Sequence, residues 1–416
     1  MRSESDILRS ARYIEREDST CARNYAPLPV VASHARGCKI WDTEERCYLD
    51  MMSGYSAVSL GHAHPRLVAA LCEQAAKLAV TSRAVYSDQL APFAESLTAL
   101  VGLPRMLPVN SGVEAVETAI KAARKWAAVV KNVPEGRARI VVCENNFHGR
   151  TTTVVGFSSH AQYRSGFGPF DSGFVTIPFG DANALEGALT SDTAAFLFEP
   201  IQGEGGINVP PSGWLRAVRE LCSRHRVLML ADEVQTGLGR TGAMLACDHE
   251  EVKPDGLCLG KALGGGLLPV SAFLASEELM GVFHPGDHGS TFGGNALAAR
   301  VAREALAVLV DEDLPRRADM LGNYAISKLR ARRHPCIAEV RGRGLLVGVE
   351  LVPQLAAADV ALALARRGVI TKDTHRNTVR LTPPLVVDYS ELDYAIKALF
   401  RVLDDGLVHV RPPQAA

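Results

Sequence analysis

The middle of the chain alternates short apolar runs with amphipathic stretches, and that alternation limits the possible folds more than any other feature. Ile140–Cys143, Phe174–Ile177, Ala195–Phe198, Val227–Ala231 and Gly256–Leu259 are each four or five residues long and nearly all apolar. Such runs predict strands buried on both faces. Between them lie helical stretches such as Val113–Val130 and Pro211–Arg224. Strands separated by helices predict an α/β fold with a mostly parallel central sheet. Ligands of such sheets bind beyond the carboxyl ends of the strands, and here polar residues follow the apolar runs directly.

The two ends of the chain follow another pattern. Val31–Asp50 alternates apolar and polar residues around a turn at Asp42–Glu45, as a hairpin does. Beyond residue 305, Leu314–Arg332 and Ser390–Asp404 have helical amphipathicity, and Ile337–Leu351 is an extended stretch interrupted by Gly342 and Gly344. We therefore expect a large domain over residues 51–304 and a small α+β domain built from residues 1–50 and 305–416. The Pro-Pro-Gln-Ala-Ala tail is expected to fray.

Composition narrows the function classes. The 416 residues carry 45 basic and 46 acidic side chains, so no general field favours nucleic acid or an anionic membrane. No apolar run reaches the length of a membrane span. The first 24 residues mix acids with arginines and lack an apolar core, which argues against a secretory or transit segment and for a cytoplasmic protein. The nine cysteines include no C-x-x-C pair, so neither a disulfide framework nor a cysteine zinc site is expected. Cys143 and Cys258 fall in strand patterns and are expected in the core. His62 and His64 have the spacing of a metal pair but no further ligands nearby, and no metal is expected.

Four segments carry chemistry. Leu228-Met-Leu-Ala-Asp-Glu-Val-Gln235 ends an apolar strand on Asp232, and Cys258-Leu-Gly-Lys-Ala-Leu-Gly-Gly-Gly266 places Lys261 just past another. Taken singly, the first could be a helix cap and the second an exposed loop lysine. Together they offer an amine that can condense with an aldehyde and a carboxylate that can hold a pyridine nitrogen protonated. Those are the needs of pyridoxal phosphate, whose protonated ring accepts the electron pair left when a substrate carbon loses its proton. The 29 positions between Asp232 and Lys261 suit the ends of two strands of one sheet. Asn110-Ser-Gly-Val-Glu-Ala-Val-Glu117 opens a strong helix after an apolar run, so Ser111, Gly112 and Val113 would turn backbone N–H groups toward a phosphate. In Glu144-Asn-Asn-Phe-His-Gly-Arg150, Phe147 could stack on the ring and Arg150 could grip a carboxylate in two-pronged fashion.

These segments resemble the class III, fold-type I aminotransferases over most of the chain, from about Tyr25 to about Leu403. The most specific stretches are Ala231-Asp-Glu-Val-Gln-Thr-Gly-Leu-Gly-Arg-Thr-Gly242 and Leu259-Gly-Lys-Ala-Leu263. The resemblance implies that Lys261 binds pyridoxal phosphate as a Schiff base and shuttles the proton, with Asp232 on the ring nitrogen. It places Gln235 near the ring hydroxyl, Phe147 on the ring face, and Ser111, Gly112 and Val113 on the phosphate. His288-Gly-Ser-Thr-Phe-Gly-Gly-Asn295 matches the second phosphate contact, which implies a homodimer in which Thr291 comes from the neighbouring subunit. Positions 148 and 292 vary among such proteins, and no role is assigned to His148 or Phe292. Gly205 stands where many relatives have a small residue such as alanine.

Arg23-Asn-Tyr-Ala-Pro-Leu-Pro-Val30 and Ser53-Gly-Tyr-Ser-Ala-Val58 are similar to the ornithine-using branch. That likeness implies that Tyr25 meets the α-amino end of the donor, that Tyr55 shapes the pocket, and that Arg150 holds the α-carboxylate so that the δ-amine reaches the cofactor. It also implies a switchable pair. Glu204, in Glu199-Pro-Ile-Gln-Gly-Glu204, would mask Arg380, in Asn377-Thr-Val-Arg-Leu-Thr-Pro-Pro384, until 2-oxoglutarate binds. The implied reaction converts ornithine and 2-oxoglutarate to glutamate 5-semialdehyde and glutamate. The semialdehyde can then cyclise on its own α-amine. N-acetylornithine and 4-aminobutyrate aminotransferases, or an aminomutase on the same scaffold, are the rival readings. A non-catalytic descendant is disfavoured because both Lys261 and Asp232 are kept.

Overall fold

The computed structural model describes residues 4–406. The tail expected to fray lies outside the described residues. A seven-stranded sheet forms the centre. Its strands, in chain order, are β1 (Arg105–Val109), β2 (Arg139–Cys143), β3 (Phe174–Ile177), β4 (Thr193–Phe198), β5 (Leu228–Asp232), β6 (Gly256–Leu259) and β7 (Ser271–Ala275). Across the sheet they run β1-β7-β6-β5-β4-β2-β3. Five neighbours, β6 through β3, pair in parallel, and β7 is antiparallel to both β6 and β1.

The five strands read from apolar runs are all present, within two residues at either end. β7 went unread. Its sequence Ser-Ala-Phe-Leu-Ala has two alanines and no alternation, so nothing local marks it as a strand. Both faces of the sheet are covered. In β2, Val141 and Cys143 join one apolar cluster while Ile140 and Val142 join the other. Phe196 and Phe198 of β4 divide from Ala195 and Leu197 in the same way. Each residue named is no more than 1% exposed, the burial expected of a parallel sheet with helices on both sides.

The ends of the chain build two further sheets. Lys39–Asp42 and Cys47–Asp50 form the expected hairpin, which turns at Glu45. Val369–Ile370 adds to Cys47–Asp50 in parallel, which ties the last part of the chain to the first. Ile337–Arg343 pairs with Leu346–Leu351 around Gly344, and Leu346–Leu351 pairs in turn with Thr378–Leu381, which carries Arg380. A Cβ on Gly342 would lie 2.1 Å from the Leu346 carbonyl oxygen, so this hairpin tolerates no side chain there. Residues Glu4–Thr20 form a helix for which the sequence had suggested nothing. Among the described residues, no helix is long and apolar enough to cross a membrane.

Candidate active site

The site is built where the parallel strands end. Asp232 is the last residue of β5, Lys261 lies two residues past β6, Glu199 follows β4, and the Glu144–Arg150 segment follows β2. Asp232 pairs across the sheet with Cys258, so the carboxylate and the lysine leave neighbouring strands at nearly the same level. A cavity of about 320 Å³ opens there. Lys261, Asp232, Gln235, Glu204, Gly112, Val113, Phe147 and Arg150 are among the residues that line it.

Among the described residues, the Lys261 amine has no hydrogen bond or ion pair, and it faces the cavity. Enclosure by protein lowers it from the usual 10.5 to about 8, with Arg380 pushing the same way and the carboxylates of Glu204 and Asp232 opposing. A lysine held there is far more often neutral near pH 7 than an exposed one, which is the form that attacks a carbonyl.

Asp232, 6% exposed, is held from behind. Its Oδ1 accepts the Val234 N–H (3.1 Å), and its Oδ2 meets His148 Nδ1 at 2.7 Å. Burial alone would lower the His148 pKa, but the bond to Asp232 and the charges of Asp232 and Glu199 raise it. Glu199 is itself buried, and burial pushes it up to about 7. Its carboxylate accepts the N–H groups of Phe147 (2.9 Å) and Gly203 (3.3 Å). The carboxylate at position 232 is thus fixed in place by a buried imidazole. The sequence offered no sign of this, because 84 residues separate the pair.

The helix Gly112–Val129 points its N-terminus at the cavity. One expectation needs correction here. The backbone N–H groups of Ser111 and Asn110 both go to Glu114 Oε2, at 2.7 Å each, in a capping box. Only Gly112 and Val113 keep free N–H groups, so Ser111 can reach an anion only through its hydroxyl. The capping signature, serine followed three residues later by glutamate, was present in the sequence. The fit around these N–H groups is close. A Cβ on Gly112 would lie 2.7 Å from Val234 Cγ1, and one on Gly149 2.4 Å from Val113 Cγ2.

Glu204 and Arg380 form the expected pair, through Nη1–Oε1 at 2.8 Å and Nη2–Oε2 at 2.9 Å. Arg380 is 2% exposed, and its guanidinium carbon lies 5.0 Å from the centre of the Tyr55 ring. Burial alone would raise the Glu204 carboxyl, but Arg380 outweighs burial and holds it below its usual value. Arg150, by contrast, is exposed and has no carboxylate partner among the described residues. Its guanidinium carbon sits 3.6 Å above the Tyr163 ring and 5.3 Å from that of Phe147.

Tyr55 lies in a turn that the sequence did not reveal. Ser53, Gly54, Tyr55 and Ser56 all have positive φ, a left-handed turn that is costly for every residue but glycine. Buried groups hold it. Asp50 accepts the N–H groups of Met52 and Ser53, at 2.8 Å each. The fully buried Arg240 donates to the Ser53 and Ser59 hydroxyls and to the carbonyls of Leu345 and Pro383. Gln235 Nε2 donates to the Tyr55 carbonyl at 3.4 Å. His62 bonds Asp50 at 2.8 Å and His64 bonds Glu312 at 3.0 Å, so the two histidines turn to different carboxylates.

Five of the expected site residues do not line the cavity in the single chain: Ser111, Tyr55 and Arg380 adjoin residues that do, whereas Tyr25 and Thr291 are exposed. Tyr25 is 79% exposed, although near enough for its hydroxyl to act on that of Tyr55. Thr291 is exposed, while its neighbour Ser290 bonds Asn110 beside the helix N-terminus at 3.0 Å.

Comparison with known proteins agrees with this geometry. Residues 20–403 match the family model for aminotransferase class-III. The chain is 52% identical over 390 residues to the ornithine aminotransferase of Halalkalibacterium halodurans, which spans 94% of this chain and 98% of that one. The crystal structure of the ornithine aminotransferase from Toxoplasma gondii superposes with a TM-score of 0.93 at 42% identity, over 97% of this chain and 100% of that one. An acetylornithine aminotransferase from Elizabethkingia anophelis superposes with a TM-score of 0.86 at 46% identity, over 95% of this chain and 99% of that one. Sheet order, cavity and sequence agree that this chain belongs to the class-III aminotransferases.

Proposed function

We propose that this aminotransferase uses pyridoxal phosphate to move the δ-amino group of ornithine to 2-oxoglutarate. The single observation that carries the reading is the arrangement of its two arginines. Arg380 is neutralised by Glu204, which lines the cavity, while Arg150, which lines it too, has no carboxylate partner among the described residues. A donor carboxylate is then drawn to Arg150, which leaves the distal amine to approach Lys261. An unmasked Arg380 would pull the same carboxylate into the wrong register.

The residues present suit the cofactor. The cavity offers an amine at Lys261 whose pKa burial lowers to about 8, a carboxylate at Asp232, and two free N–H groups at a helix N-terminus, where a phosphate is favoured. Val234 and Phe147 supply apolar walls. When bound there, pyridoxal phosphate supplies an aldehyde carbon for amines and a ring that accepts an electron pair. The chain's own residues do the rest. Asp232 Oδ, steadied by His148, keeps a proton on the ring nitrogen. Lys261 Nζ would be the base that takes the proton from the donor's δ-carbon and the acid that returns it on the far side of the nitrogen. Gln235 would meet the ring hydroxyl. Glu204 turns aside in the second half-reaction, so that Arg380 takes the α-carboxylate of the oxo acid. Tyr55 fills the space beneath Arg380, and Tyr25 meets the free α-amine.

A second copy of the chain completes the site in this reading. Thr291 and the Ser111 hydroxyl would share the phosphate across the dimer. The large apolar residues Tyr86, Val85 and Phe292 are each exposed in the single chain, which supports such a contact. We place the homodimer in the cytoplasm, and we take residues 1–50 and 305–416 as one small domain. The likeness to an acetylornithine aminotransferase and the exposure of Tyr25 favour one alternative, in which N-acetylornithine is the donor. A half-reaction panel separates the two. Cofactor-loaded protein is mixed with ornithine, N-acetylornithine, lysine and 4-aminobutyrate, and the loss of its visible absorbance is followed. Ornithine is expected to react fastest; faster reaction with N-acetylornithine would reverse the assignment.

A further inference from the structure

Arg150 is the group most exposed to loss of geometry. It is at the cavity mouth, has no carboxylate partner among the described residues, and carries a long side chain with many rotamers. Two rings lie against it, that of Phe147 at 5.3 Å and, much nearer, that of Tyr163. The Arg150 guanidinium carbon lies 3.6 Å from the centre of the Tyr163 ring, and the His160 imidazole stacks on the same ring at 4.6 Å, tilted by 18°. One face cannot hold both planar groups at those distances, so they occupy opposite faces. His160 in turn meets the edge of His375 at 6.4 Å. Next to His375, Thr374 donates its hydroxyl to the carbonyls of Gly203 and Glu204. The stack therefore runs from Arg150 to the loop that carries Glu204.

The Tyr163 hydroxyl makes no hydrogen bond among the described residues. Its contribution is the ring face alone. A guanidinium on an aromatic face keeps its N–H fork free in the plane, which suits two-pronged capture of a carboxylate. We propose that Tyr163, braced by His160, is the positioning residue that holds Arg150 for the donor's α-carboxylate and so takes part in choosing which amine reacts. The proposal rests on the carboxylate role given to Arg150 above.

The test compares ornithine with 1,4-diaminobutane, the same chain without the carboxylate. It uses cofactor-loaded wild type, Tyr163→Phe, Tyr163→Leu, Arg150→Gln and the Arg150→Gln/Tyr163→Leu double variant. Tyr163 lies half-buried in a short helix at the surface, so the substitutions do not threaten folding. Tyr163→Leu is expected to lower the ratio of kcat/KM for ornithine to that for the diamine by roughly 3- to 30-fold, mostly through KM. Tyr163→Phe should restore the wild-type ratio, and in the Arg150→Gln background Tyr163→Leu should add nothing. An equal loss on both donors, or an undiminished effect without Arg150, would overturn the proposal. The wild-type panel tests the ornithine reading separately. If N-acetylornithine prevails there, the same ratio is taken with N-acetyl-1,4-diaminobutane.

Discussion

Arg380 and Glu204 meet through two parallel N–H···O bonds of 2.8 and 2.9 Å, with the arginine almost wholly enclosed and the carboxylate partly open to the cavity. That asymmetry makes the carboxylate the movable member. Glu204→Gln would leave a buried guanidinium without a counter-charge, at a cost to stability of about 3 kcal/mol. It should also free Arg380 for the donor's carboxylate. We expect kcat/KM for ornithine to fall roughly 10- to 100-fold, consistent with losing one buried charged partner, while the half-reaction with glutamate is retained or faster. Separate measurement of the two half-reactions checks this, and equal losses in both would refute the masking role.

His148 tests how firmly Asp232 must be held. His148→Phe keeps an apolar body but removes the 2.7 Å bond. We predict a fall in kcat of about 10- to 100-fold with little change in KM, the pattern for loss of supporting contacts behind a working group. The cofactor-free protein gives a pH signature as well. The folded-state pKa of His148 is raised, so its stabilising contribution is complete below the unfolded value of about 6.5 and is lost as pH rises through the folded value. Urea midpoints that decline over that range in wild type, and less in His148→Phe, are the expected result.

Lys261 has the opposite sign. The unfolded chain keeps the proton on this amine to about pH 10.5, whereas the fold releases it from about 8. The unfolded state binds more protons across that window, so the stability of the cofactor-free protein rises with pH there. Lys261→Met should remove this slope. Its stabilisation relative to wild type, up to about 3 kcal/mol, should be greatest below pH 8. Denaturation at about pH 7 and about pH 10 measures it, and an increment that does not change with pH would contradict it.

Gly149 probes the phosphate end. Its φ of 123° and the 2.4 Å between a would-be Cβ and Val113 Cγ2 mean that Gly149→Ala must displace the helix N-terminus. A loss of about 1–3 kcal/mol in stability is expected from the overpacking, with at least a tenfold weaker hold on the cofactor in equilibrium dialysis. Unchanged affinity would mean that the N–H groups of Gly112 and Val113 do not bind it.

What the sequence revealed followed local rules. The apolar runs marked five strands of the sheet because each is buried on both faces, and Asp232 and Lys261 stood out as charges at the ends of two of them. The helix that opens at Gly112 was equally plain, although its capping box, which went unread, uses up the Ser111 N–H. The rest depends on distant parts of the chain. β7 is made a strand by its partners on both sides, not by its own residues. His148 gains its importance from a carboxylate two strands away, and Tyr163 from an arginine packed onto its face. The left-handed turn at Tyr55 is maintained by Asp50 and Arg240, and only the fold brings Arg240 beside it.

The central claim, that the amine at position 261 is the one that joins the cofactor, can be tested by borohydride reduction followed by peptide mass analysis. Wild-type protein loaded with pyridoxal phosphate should lose its visible absorbance on reduction and carry the added mass on the peptide containing Lys261, while Lys261→Ala should show neither the absorbance nor the label. Label on a different lysine, or an unaltered spectrum in Lys261→Ala, would contradict it.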